Sequence, residues 1–109
     1  MLDLINGLEE DRRLMKKASE ELKKRGYELA QAEAEYQRLK YNKALEMKAD
    51  GMSATMIGLL LKGEPDVSLA LFKRDCAQTN YQSAIEALNV YKLDSRLLEA
   101  QLSREWGQQ

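Results

Sequence analysis

Histidine, the commonest general base and metal ligand, is absent from this chain, and its one cysteine, Cys76, cannot by itself build a structural zinc site. What remains with chemical potential is carboxylate. Glu9-Glu10-Asp11, Glu20-Glu21 and Glu33 with Glu35 set acidic groups close together, but each cluster lies among lysines and arginines at helical spacing, the pattern of a solvated ion-pair face. No Gly-rich phosphate loop, strand-turn-helix nucleophile pattern or spaced acidic calcium loop accompanies them. The expectation is a protein that is not an enzyme and uses no metal or other cofactor. Cys76 stands beside Ala77 of an apolar row and four residues after Phe72, and is read as a small buried hydrophobe rather than a reactive thiol.

Basic side chains form the second candidate set. Arg12, Arg13, Lys16, Lys17, Lys23, Lys24 and Arg25 recur at intervals that place several on one side of a helix, with Tyr27, Tyr36 and Tyr41 downstream. Lys and Arg neutralise phosphates and tyrosine rings stack on bases, so a nucleic-acid accessory role is the alternative reading. Weighing against it, the first 48 residues hold eleven basic groups and ten acidic ones, and the whole chain carries 17 Lys plus Arg against 18 Asp plus Glu, a formal net charge of -1. No overall field draws in a polyanion or an anionic membrane.

The elements that must position these groups are helical. From Asp3 to about Lys48 there is no proline and strong helix formers are dense, which predicts one long helix. Leu8, Met15, Leu22, Leu29 and Tyr36 stand seven apart, and Leu4, Ala18, Ala32 and Leu39 fill the companion row. Asp11 and Arg25 interrupt that seam, and Gly26 marks the expected place for a kink or a close helix approach. The stretch Asp50-Gly51-Met52-Ser53 reads as a stop and restart, with Gly51 left-handed after the first helix and Ser53 capping the next. A short helix over 54–62 follows, whose Met56, Ile57, Leu59, Leu60 and Leu61 are expected to close the end of a bundle. Gly63 and Pro65 end it, and a second long helix is predicted over 66–106.

That last helix carries two apolar rows side by side. One comprises Ala77, Tyr81, Ala84, Leu88, Tyr91, Leu98 and Leu102, and the other Val90, Leu93, Leu97 and Ala100. A single neighbour needs only one stripe, so the prediction is an all-α domain spanning 1–109: a long helical hairpin with a short helix at its turn, dimerising into an elongated four-helix bundle. Tyr81, Leu88, Tyr91, Leu98, Leu102 and Trp106 are the expected dimer or partner interface, with Trp106 either closing the bundle end or standing out as a contact anchor. The partners expected are a second copy and another, unidentified protein.

Phe72-Lys-Arg-Asp-Cys-Ala, Tyr81-Gln-Ser-Ala-Ile-Glu-Ala-Leu-Asn and Leu93-Asp-Ser-Arg-Leu-Leu-Glu-Ala-Gln-Leu-Ser-Arg-Glu-Trp106 resemble segments of small helical proteins encoded by bacteriophages and prophages of Gram-positive bacteria. The resemblance runs from about Ala44 to Trp106 and implies a phage protein near DNA replication or recombination, without catalytic residues to carry over. Trp106-Gly107 is similar to the Trp-x-Gly motif of secreted hairpin proteins, but that motif belongs at a central turn and here it lies near the chain end. Lys48 to Leu61 resembles the opening of some helix-turn-helix domains, yet the acidic, proline-containing stretch after Gly63 is unlike a base-reading helix. The N-terminus lacks a basic start and a continuous apolar stretch, and no run approaches the roughly 20 residues that span a bilayer, so a cytoplasmic protein without a membrane partner is expected.

Overall fold

A computed structural model describes residues 1–107, and among these every regular element is helical. Helix α1 spans Leu2–Ala49, α2 spans Ala54–Leu60, a 3-10 turn covers Leu61–Gly63, and α3 spans Pro65–Gly107. The two long helices are the arms of a helical hairpin, with α2 and the 3-10 turn between them. Helix α1 runs unbroken through Gly26, where a kink or close approach was a possible outcome.

Local chemistry accounts for each corner. Gly51 has φ +86°, the left-handed conformation in which a Cβ is strained, and it is the one described residue of positive φ. The Met52 N–H donates to the Met47 carbonyl at 3.1 Å and the Gly51 N–H to the Lys48 carbonyl at 3.0 Å. This pair of bonds satisfies two of the carbonyls left over at the end of α1. Two residues later the Ser53 hydroxyl accepts from the Met56 N–H at 3.2 Å and caps α2. The end of α2 tightens into the 3-10 turn, so α2 stops two residues short of its expected boundary. Pro65 is the first residue of α3 rather than the residue before it: its missing N–H costs nothing there, and the Ser68 N–H donates to the Glu64 carbonyl at 2.8 Å.

Two compact units make up the chain, one of residues 26–80 and one of residues 1–25 with the chain from Tyr81 onward. In the first, Met47, Leu61 and Val67 form a small core flanked by Tyr36, Ala44 and Ile57. Leu61 alone of the five apolar residues expected to close the bundle is buried; Ile57 is half-buried, and Met56, Leu59 and Leu60 are exposed. Ile57 of this short helix and Leu61 just past its end, four residues apart, share the inward side.

In the second unit the predicted seam of α1 is the inward face. Leu4, Leu8, Met15, Ala18, Leu22 and Arg25 are half-buried and Asp11 is buried, while Arg12, Arg13, Lys16, Lys17, Glu20, Lys23 and Lys24 are exposed. On α3 the half-buried positions are Tyr81, Ala84, Ile85, Leu88, Tyr91, Ser95, Leu98, Leu102 and Glu105, again spaced by three and four. Close approach of the two helices occurs at Gly7: a Cβ there would stand 3.0 Å from Leu98 Cδ1. The Met1 amine lies 3.4 Å from Glu105, at the same end of this unit.

Candidate interaction surfaces

Heptad spacing in the unit of residues 1–25 and 81 onward separates an inward seam from two outward faces. Five of the six residues expected at a partner interface, Tyr81, Leu88, Tyr91, Leu98 and Leu102, lie on the half-buried seam and face α1 of the same chain. The sixth, Trp106, is 61% exposed and does not close the helix pair; Glu105 beside it takes the inward position. The apolar surface left outside is the neighbouring row. Val90, Leu93 and Leu97 are 63%, 55% and 60% exposed, and Ala100 continues the row one turn on. These large apolar side chains share one outward face of α3.

Asp11 is the exception inside the seam. It is 6% exposed, and its Oδ2 has no hydrogen-bond partner. A hydrogen bond with Asp94 of α3, burial, and the like charges of Asp94 and Glu10 all raise its pKa above the ordinary aspartate value. Glu10 itself is held the other way: Arg13 donates to it from Nε at 3.0 Å and from the terminal guanidinium nitrogen at 2.6 Å, which lowers its pKa. The charge seen in the sequence at Asp11 therefore sits against a second carboxylate rather than a cation.

Outward on α1 lie the basic residues. Arg13 is committed to Glu10 and Arg25 to Glu21, the latter at 2.8 Å. Arg12, Lys16, Lys17, Lys23 and Lys24 are exposed and make no ion pair among the described residues. The structure thus brings the predicted basic residues onto one stretch of helix and divides them into two paired cations and five unpaired ones. Tyr27, Tyr36 and Tyr41 belong to the other unit.

In that other unit, Arg74 of α3 stacks over the Tyr36 ring with 5.7 Å to its centroid, and Lys40 lies over the same ring at 5.6 Å. The Arg74 Nε is 3.2 Å from Glu33 and 3.5 Å from Asp75 without the alignment of a hydrogen bond. Lys43 stands 3.2 Å from Glu46 and 3.4 Å from Glu64, whose side chain is largely buried, and the two carboxylates raise the lysine pKa. These contacts tie α1 to α3 and to the turn within the unit. Cys76, expected to be buried, is exposed on α3, because it belongs to the outward row with Leu69 and Phe72 rather than to the row of Ala77.

Among the described residues no cluster of three or more Cys, Asp or Glu is placed to hold a metal ion, and no helix is long and apolar enough to cross a membrane. Compared with known proteins, the chain matches no family model, no curated protein and no solved structure.

Proposed function

We propose that this chain acts without catalysis, by self-association and protein–protein contact through the outward face of α3. The observation that carries the reading is the row Val90, Leu93 and Leu97, each more than half exposed beside a seam already filled within the chain. The occupant we assign to it is a second copy. Asp94 and Arg96 flank the row on opposite sides and are both exposed, so the face presents both signs of charge. A formal net charge of -1 adds little repulsion between copies. Two-fold pairing lets one patch serve both subunits, the commonest way a soluble chain covers such a face. The resemblance of residues 44–106 to small phage-encoded helical proteins supports a role in phage DNA replication or recombination, where a homodimer would also present its remaining surface to another protein.

Sedimentation equilibrium at micromolar concentration tests this directly. The native chain is expected at twice its monomer mass, and the double variant Leu93→Asp/Leu97→Asp at monomer mass with its helical circular dichroism retained, since both residues point away from the seam. A native chain of monomer mass would overturn the proposal, as would a double variant that remains a dimer.

A further inference from the structure

The five unpaired cations between Arg12 and Arg25 of α1 have no role in the apolar contact proposed above. Between Arg12 and Arg25 the chain holds seven cations and two carboxylates, Glu20 and Glu21, although its overall charge is close to zero. Arg13 and Arg25 are paired within the chain, and Glu21 is the carboxylate that holds Arg25. Arg12 and the pairs Lys16/Lys17 and Lys23/Lys24 are left as an exposed stripe with Glu20 in its middle. The two lysine pairs are one heptad apart, about 10 Å along the axis at 1.5 Å per residue, and therefore fall on one side of the helix. An uncompensated stripe of this kind repels itself and lowers its energy by neutralising anions.

From this arrangement we infer that the stripe Arg12–Lys24 of α1 binds the phosphate backbone of double-stranded nucleic acid. Three observations select that occupant. The free cations are mostly lysines, compact point charges suited to phosphates, while the fork-shaped guanidinium groups of Arg13 and Arg25 that would grip a carboxylate peptide are already engaged. No exposed apolar residue accompanies the lysines, because Leu14, Met15, Ala18 and Leu22 are all half-buried; a helix that settles into a lipid surface needs exposed apolar groups beside its cations. No aromatic residue occurs from Met1 to Arg25, and Tyr27, 66% exposed one turn beyond Lys23 and Lys24, is a single ring, whereas unpaired bases are held on a succession of rings. A duplex carries one charge per about 1.7 Å of axis, ample to meet five cations spread over three to four helical turns. Contacts to phosphate alone read no sequence, so the binding is sequence-independent.

Fluorescence anisotropy with a labelled 20-base-pair duplex and the corresponding single strand, at 50 and 200 mM salt, is the test. Five phosphate contacts correspond to a loss of about 500-fold in duplex affinity across that range, from a slope of about -0.9 per phosphate. Lys23→Gln/Lys24→Gln removes two of those contacts and is expected to reduce the loss to about 40-fold, with circular dichroism unchanged because both side chains are exposed. Binding that is absent at 50 mM salt, insensitive to salt, tighter for the single strand, or unaltered by the lysine substitutions overturns the inference. Equal or tighter binding of poly-glutamate or of phosphatidylserine vesicles in competition would likewise overturn it, by assigning the stripe to a protein or to a membrane.

Discussion

Asp11 is a carboxylate in the place of a core residue, and its protonation is tied to folding. Its folded pKa is raised by the hydrogen bond with Asp94, by burial, and by the charges of Asp94 and Glu10. The unfolded chain gives the aspartate its ordinary value of about 3.9. Between those two values the folded state holds more proton than the unfolded one, so this contribution is fully present below the unfolded pKa and is lost as pH rises through the folded one. Glu10 and Glu35, whose pKa values are lowered by Arg13 and Arg38, act in the opposite sense, giving stability above the unfolded glutamate value that is lost in acid. Asp11→Asn isolates the first effect. Thermal unfolding between pH 4 and 7 is expected to show the variant more stable than the native chain at neutral pH, with the difference shrinking as pH falls; a constant difference would show that Asp11 does not titrate in the fold.

At the scale of elements, helix ends and helix faces follow different rules. The turn after α1 was legible because its determinants are local: a glycine that can take φ +86°, a serine two residues later, and a proline at the first position of α3. Gly51→Ala would force a Cβ into the left-handed region at a cost of about 1–2 kcal/mol. Gly58→Ala, in the interior of α2 with nothing within 4 Å of the added Cβ, should stabilise by about 0.5–1 kcal/mol. Urea midpoints that moved in the same direction for both would contradict this account of the corner. Faces were only half legible. Spacing identifies the seam of α1 and both apolar rows of α3, but not which row of α3 is used within the chain. Leu88→Asp, on that inner row, is therefore expected to destabilise the folded chain itself by at least about 2 kcal/mol, the low end for truncating a packed leucine. Retained stability with loss only of self-association would return Leu88 to an outer face.

For the whole molecule, sequence-local physics sufficed for the all-α hairpin, because helix propensity, seven-residue apolar spacing and capping residues act within a few positions of one another. The basic stripe was visible in outline for the same reason, since residues 12–25 share one helix. Its division into paired and unpaired cations was not, because an arginine with a glutamate three or four residues away has several partners open to it until rotamers are fixed. The burial of Asp11 against Asp94, the approach of Leu98 to Gly7 and the exposure of Trp106, Cys76 and the leucines of α2 all needed the pairing of α1 with α3. Two adjacent rows of similar hydrophobicity give a helix two nearly equal ways to face its partner, and a rotation of about 100° per residue exchanges them. Contacts between residues far apart in the chain decide between those faces, and with them which apolar row is left for another molecule.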